Sequence, residues 1–332
     1  LKALELSEDD IFIMSDIAWL YDITDRYEEA LKYLERLEEL GQDDAWTNTE
    51  FGYCLSKLGR YEEAIEKLNH ALEVEAENDD KDVSYIYARL GWCKRKLGMY
   101  DEAIEDFNKA KKWGRNDAVI NAEIGHCYKA KDEYEEALKY YLQAEKFDKK
   151  DPLIMSEIAW HYGALGLYSE SVKYIKKAMR LGRNDAWINI EYGACLAGLD
   201  KYEEAIEKFE YALSLNDEDK DLAFTHTYGQ LGCCHRNLEN YEEAIKYLML
   251  SKEEGRNDVW TNLELAMCYE NLEDYEKALE YALVAYELDK DDIGAISEVA
   301  TIYDNLENYE EALPFLLRAE ELGRNDEWIN RL

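Results

Sequence analysis

A tyrosine followed by acidic residues and then a small residue returns at Tyr27, Tyr61, Tyr100, Tyr134, Tyr168, Tyr202, Tyr241, Tyr275 and Tyr309, with Tyr168 a degenerate copy. The steps are 34 residues, interrupted twice by 39. A chain that restates one short unit this often builds its core between neighbouring units and not around one centre. Nine residues before each tyrosine stand Ala18, Gly52, Gly91, Gly125, Ala159, Gly193, Gly232, Ala266 and Ala300. Three residues after it the position is Ala, or Ser171 in the degenerate copy. Small side chains at fixed points let two helices approach closely. Scarce proline (Pro152 and Pro314), abundant Glu, Ala, Leu and Lys, and apolar residues at three and four spacing predict helix nearly throughout.

A 34-residue helix-turn-helix unit with these small sites resembles the tetratricopeptide repeat, and the resemblance spans essentially the whole chain. It implies an all-α fold, a right-handed α-α superhelix of about nine repeats, read as one solenoid over 1–332 and cut at both ends. The repeats fall at roughly 11–44, 45–78, 84–117, 118–151, 152–185, 186–219, 225–258, 259–292 and 293–326, with partial repeats at 1–10 and 327–332. Where the family usually has a proline between repeats, this chain has Gly-Arg-Asn-Asp from Gly114, Gly182, Gly255 and Gly323, with a variant from Gly41. Gly supplies a left-handed residue to end one helix, and Asp44, Asp117, Asp185, Asp258 or Asp326 caps the next. A longer period of 141 residues relates Tyr61 to Tyr202 and Tyr100 to Tyr241. Within it, even repeats carry Asn48, Asn121, Asn189 and Asn262 where odd ones carry Met14, Tyr87, Met155, Tyr228 and Ile296, so the two kinds of interface should pack differently. Leu1, Leu4, Trp328 and Ile329 are expected on apolar end faces that stack against another copy. Pro314, five residues past Tyr309, is expected to kink its helix or distort its first turn.

The formal charge of −36 makes a phosphate backbone the wrong partner, and no apolar run reaches the length of a membrane span. Six of the seven cysteines (Cys54, Cys93, Cys127, Cys195, Cys234, Cys268) share one register position, with Cys233 the extra. That register assigns them to core filling, with reduced thiols in a cytoplasmic, reducing setting. The histidines lack zinc spacing, and no phosphate loop, nucleophile elbow or His-carboxylate motif appears. Neither catalysis, cofactor nor metal is therefore expected. Acidic loops at Asn78–Asp82 and Asp217–Asp221 are read as solvated; the second opens like a calcium loop but has Leu222 where glycine is needed.

On each first helix, the sites fifteen, eleven and eight before the tyrosine share one face. The resemblance implies that this face lines the concave side, where relatives bind extended peptides or partner helices. The middle column reads Asp16, Glu50, Arg89, Glu123, Glu157, Glu191, Gln230, Glu264 and Glu298. The next is Trp19, Tyr53, Trp92, His126 and Trp160 through five repeats and then loses its rings, while Trp46, Tyr85 and Trp187 stand in the first. Carboxylates interleaved with rings suit a ligand bearing Lys or Arg, through charge pairing and cation–π contact. The competing reading is that the rings pack between helices. Acids after the repeat tyrosines have a structural role at helix N-termini; the column acids are assigned none. A basic island of Lys57, Arg89, Lys94, Arg95 and Lys96 is read as neutralising its acidic neighbours, and the Lys and Asn clamp of chaperone-binding relatives is not reproduced. The candidate contact set is thus Trp19, Trp46, Glu50, Tyr53, Tyr85, Arg89, Trp92, Glu123, His126, Glu157, Trp160, Trp187 and Glu191. It suggests a non-enzymatic scaffold for a basic or amphipathic protein or peptide, with end-to-end self-association possible in such an array. The alternative is a peptide-sensing regulatory domain of a larger bacterial regulator or enzyme.

Overall fold

The computed structural model describes residues 10–76, 83–215 and 220–323, and among them there are eighteen helices and no strand. Two compact units meet between Leu165 and Gly166. The first contains α1 (Ile11–Asp22), α2 (Tyr27–Glu39), α3 (Ala45–Lys57), α4 (Tyr61–Ala76), α5 (Ser84–Lys96), α6 (Tyr100–Lys112), α7 (Ala118–Ala130), α8 (Tyr134–Phe147) and α9 (Pro152–Ala164). The second contains α10 (Tyr168–Arg180), α11 (Ala186–Ala197), α12 (Tyr202–Ser214), α13 (Lys220–Asn237), α14 (Tyr241–Glu253), α15 (Val259–Asn271), α16 (Tyr275–Leu288), α17 (Ile293–Asn305) and α18 (Tyr309–Glu321). Within each unit the helices of a repeat pack as a hairpin, and each second helix packs on the next first helix.

Every second helix begins on a repeat tyrosine, and the residue two before it turns the chain in the left-handed region. Gly59, Gly98 and Gly166 do this with φ of 72–78°, but Asp25, Asp132, Asp200, Glu239, Glu273 and Glu307 do it at 56–60°, where a side chain is strained. Close approach inside the hairpin depends on the small site. A Cβ added to Gly91 would stand 2.8 Å from the Phe107 ring, and Phe107 is itself buried.

The Gly-Arg-Asn-Asp junctions behave as their chemistry predicts. Gly114, Gly182 and Gly255 take φ of 101–104°, and the carboxylates of Asp117, Asp185 and Asp258 accept from the backbone of Ile120, Ile188 and Thr261 at 2.7–2.9 Å. The structure also explains the even-repeat asparagines. The Asn121 amide donates to Asn116 Oδ1 (2.9 Å) and to the Asp117 carbonyl (2.7 Å), tying the helix to its own loop; Asn189 and Asn262 repeat this. The odd-repeat Met14, Met155 and Ile296 are buried apolar contacts, so the two kinds of interface do differ.

Two expectations are corrected. The first turn of α18 is intact, with the Ala312 amide donating to the Asn308 carbonyl at 3.1 Å, and the helix runs on through Pro314. Proline there removes its own donor without disturbing the turn before it. In the second insertion, Lys220 and Asp221 belong to α13, which starts five residues ahead of the expected 225. The rest of both acidic loops, Asp326, and the end-face residues Leu1, Leu4, Trp328 and Ile329 lie outside the described residues.

Candidate functional site

The acidic column does not stand free. Glu123 Oε2 lies 2.5 Å from Arg95 Nε, Glu157 2.9 Å from Lys129 Nζ and Glu264 2.6 Å from Arg236 Nε. In each case the base sits 28 residues earlier, on the preceding first helix, so these rungs join adjacent repeats. Glu50 instead meets Arg89 of the following repeat at 3.4 Å; burial raises the Glu50 carboxyl above its ordinary range while the Arg89 charge opposes the shift. Glu191 is also engaged. The absence of a structural role is therefore overturned for Glu50, Glu123, Glu157 and Glu264, which are internal counter-ions. The geometry meant for a ligand's cation already holds one at Lys129, which sits against Glu157 and 4.3 Å from the Trp160 ring centre.

The rings divide into packed and open ones. Tyr53, Trp92 and Trp160 lie edge-on against the preceding repeat tyrosines Tyr27, Tyr61 and Tyr134 at 5.4–6.2 Å between centres. His126 turns into its own hairpin, where Nδ1 is 2.6 Å from the Tyr141 hydroxyl and burial lowers its basicity. Trp187, in the second unit, lies under the Arg183 guanidinium at 4.6 Å. Trp19, Trp46 and Tyr85 remain exposed, at 48%, 42% and 41%.

Arg89 is the most enclosed of the candidate charges. Its guanidinium lies between the faces of Tyr53 and Tyr85, at 3.7 and 4.1 Å, and is 8% exposed. Nη2 donates to the Tyr85 hydroxyl, while Nε is buried without a partner. In the rest of the basic island Lys94 is spent on the buried Asp106 and Arg95 on Glu123, as expected, whereas Lys57 and Lys96 lie over the Tyr53 and Trp92 rings at 5.2 and 5.3 Å.

Two adjoining cavities form on α3, α5 and α7 in the first unit. The inner one, about 250 Å³, is walled by Tyr53, Tyr85, Arg89, Trp92, Phe107 and Glu123. The outer cleft, about 1050 Å³, opens between Trp46, Tyr85 and Trp113, with Glu50, Glu75 and Asp117 on its walls and Arg115 as the one cation among the described lining residues. Arg115 is committed to Asp117 at 3.3 Å. Seven of the candidates therefore converge here: Trp46, Glu50, Tyr53, Tyr85, Arg89, Trp92 and Glu123. Trp19, His126, Glu157 and Trp160 lie elsewhere in the same unit, and Trp187 and Glu191 in the other. Glu75 and Trp113 were missed because they come from the ends of second-helix segments, which a first-helix column never samples; their place beside the repeat junctions was the available signal.

The cysteine column is buried, and desolvation pushes the thiols of Cys54, Cys93, Cys127, Cys234 and Cys268 up to about 12. Among the described residues, no group of three or more potential ligands could hold a metal ion, and no helix is long and apolar enough to cross a membrane.

Family models described as tetratricopeptide repeat match residues 43–112 and, separately, 13–44, 118–151, 225–253, 261–292 and 295–326. Among solved structures, PilW, a widely conserved type IV pilus biogenesis factor, is similar at a TM-score of 0.58 and 19% identity, covering 64% of this chain and 97% of that one. PilF of Pseudomonas aeruginosa is similar at 0.55 and 17%, covering 64% and 95%. The C-terminal part of a repeat-containing protein of the same class from Cytophaga hutchinsonii gives 0.55 and 20%, covering 76% and 99%. At these identities the likeness shows the fold. No curated protein matches the chain.

Proposed function

Since the chain belongs to the tetratricopeptide repeat family, whose arrays serve as protein–protein interaction scaffolds, we propose that it is a non-enzymatic scaffold docking a basic or amphipathic protein segment in the outer cleft of its first unit. The observation that carries this is the cleft itself: two open rings, Trp46 and Trp113, with Tyr85 between them already facing Arg89 and Arg115, beside Glu75, whose carboxylate forms no ion pair among the described residues. A Lys or Arg side chain entering between them gains cation–π contact and a counter-ion together. The groove acids contribute by holding the first helices in register, and the chain's −36 draws a basic partner in from a distance.

Titration of basic, neutral and acidic peptide pools, followed by tryptophan fluorescence at low and raised salt, tests this. Salt-sensitive binding of the basic pool, lost in Trp46→Ala and weakened in Glu75→Gln, is expected. Equal indifference to all three pools would remove the proposal.

The proposal extends to self-association through the face of α18. Its Leu313 is 54% exposed, whereas at the same register Leu31, Ile104 and Leu138 are buried and Ile65, Val172, Ile206, Ile245 and Leu279 half-buried. Sedimentation across a concentration series should show a larger species that Leu313→Asp abolishes; a monomer at every concentration refutes this part.

A further inference from the structure

The rungs that join neighbouring first helices pair a base with an acid 28 residues later, as in Arg95–Glu123, Lys129–Glu157 and Arg236–Glu264. In the second unit the next rung breaks this rule, because the position of the base is Glu270, on α15, and its opposite is Glu298, on α17. The two carboxyls face each other at the rung register, the Asn305 amide donates to Glu270 Oε1 at 2.8 Å, and Glu298 Oε1 is buried with no partner among the described residues.

Among the described residues no cation forms an ion pair with either carboxyl, and the Arg236 charge only partly opposes the rise at Glu298. Neither α15 nor α17 contains Lys, Arg or His. Arg236 on α13 is committed to Glu264, which adds a third carboxylate on the same side. On α14, Lys246 is held by Glu243 and Lys252 by Asn262; on α16, Lys277 by Asp274; on α18, Arg318 by Asp291 and Glu321. His235 on α13 stacks on Tyr247, and His226 contacts Arg256. Two facing carboxyls without a paired cation favour holding one proton between them, because ionising both sets two like charges against each other in a partly desolvated site.

We propose that Glu270 and Glu298 form a proton-linked latch: a shared proton clasps α15 to α17, and its release to solvent turns the clasp into a repulsion that loosens this junction. Burial and the facing carboxylates push Glu298 up to about 7, which sets the working range near neutrality. The sign follows from linkage. A carboxyl raised in the folded state stabilises relative to its high-pH form while protonated, and that stabilisation is lost as pH rises from the unfolded value toward the folded one. Between pH 6 and pH 8 the local opening equilibrium should rise about tenfold.

Hydrogen exchange read by mass spectrometry at pH 6 and 8, corrected for intrinsic exchange rates, tests the latch on the full chain. Amides of α15 and α17 should open about tenfold more at pH 8, with α5 and α7 unchanged. Glu298→Gln keeps a neutral hydrogen-bonding group at every pH and should flatten the response. Glu270→Arg restores the base found in the other rungs and should flatten it while keeping the junction closed at pH 8. A flat wild type, or a wild-type slope in either variant, overturns the proposal. Should Glu298→Gln fail to fold by circular dichroism, Glu270→Arg decides alone.

Discussion

Glu123→Gln separates a structural acid from a ligand-binding one. Its carboxylate meets Arg95 at 2.5 Å, with side chains 17% and 20% exposed, across the junction of α7 and α5. The pair Arg60–Glu63 has the same separation, 2.5 Å, but its side chains are 46% and 55% exposed along one helix. Distance being equal, exposure decides the outcome. Neutralising Glu63 removes a solvated, screened pair and should produce no measurable change. Neutralising Glu123 leaves Arg95 facing an amide in a mostly desolvated site and removes a charge-assisted bond, so the loss should be about 1–2 kcal/mol, reduced from the fully buried case by the remaining solvent. The double replacement Arg95→Met with Glu123→Leu should recover most of that loss, because it removes both charges instead of stranding one. Repeat arrays need not unfold in one step, so urea unfolding by circular dichroism should be joined to hydrogen exchange resolved to α5 and α7. If Glu123→Gln were as silent as Glu63→Gln, or weakened peptide binding with stability intact, the reading of the rungs as internal counter-ions would be wrong.

Three other perturbations probe the repeat. Gly91→Ala presses a methyl to 2.8 Å from the buried Phe107 ring, so about 1–3 kcal/mol of overpacking should outweigh a helix-propensity gain of about 1 kcal/mol; pairing it with Phe107→Leu should relieve the clash in an unfolding titration. Glu273→Gly relieves a left-handed residue at φ 60° and should raise stability by about 1 kcal/mol in the same assay, and a loss would show that the Glu273 side chain matters more than its backbone. Asp258→Ala should cost about 1 kcal/mol as a lost cap. Because hydrogen bonds from Arg256 and Thr261, set against desolvation, leave the Asp258 carboxyl below its ordinary value, that contribution is present above the unfolded value and disappears as pH falls through the folded one; wild type and variant should converge in acid. Among the thiols, Cys233 is partly accessible while the other six are buried, so a thiol reagent should modify it first in native protein, slowed because burial raises its thiol above the ordinary value, and the rest only on unfolding.

The period, caps and left-handed turn residues were legible in the sequence because each rests on contacts within a few residues. Asp117 caps Ile120 three positions away, and Gly114 ends its helix within one turn. The role of the acidic column was hidden because it depends on two columns in different repeats, eleven before one tyrosine and five before the previous one. Read alone, Glu123, Glu157 and Glu264 look like a lining for a ligand; read with Arg95, Lys129 and Arg236, they are half of a ladder. Tyr53, Trp92 and Trp160 were similarly ambiguous, since a ring at that site touches the preceding repeat tyrosine as readily as a guest.

This pairing narrows where specificity can reside. A carboxylate already bound to an internal base offers an incoming cation only an exchange of partners, with little net gain. The same acid beside open rings and without a base offers a new contact. Among the described residues of the first unit that condition is met at Glu75, beside Trp46 and Trp113, and not at Glu123 or Glu157. The remaining negative charge acts over distance and is screened by salt, so on this reading it governs how fast a basic partner arrives, while the cleft governs how long it stays. Added salt should therefore slow association in wild type and in Trp46→Ala alike, whereas Trp46→Ala should speed dissociation at every salt concentration. A dissociation rate that ignores Trp46 but follows salt would mean that the protein binds through its overall field and that the cleft plays no part.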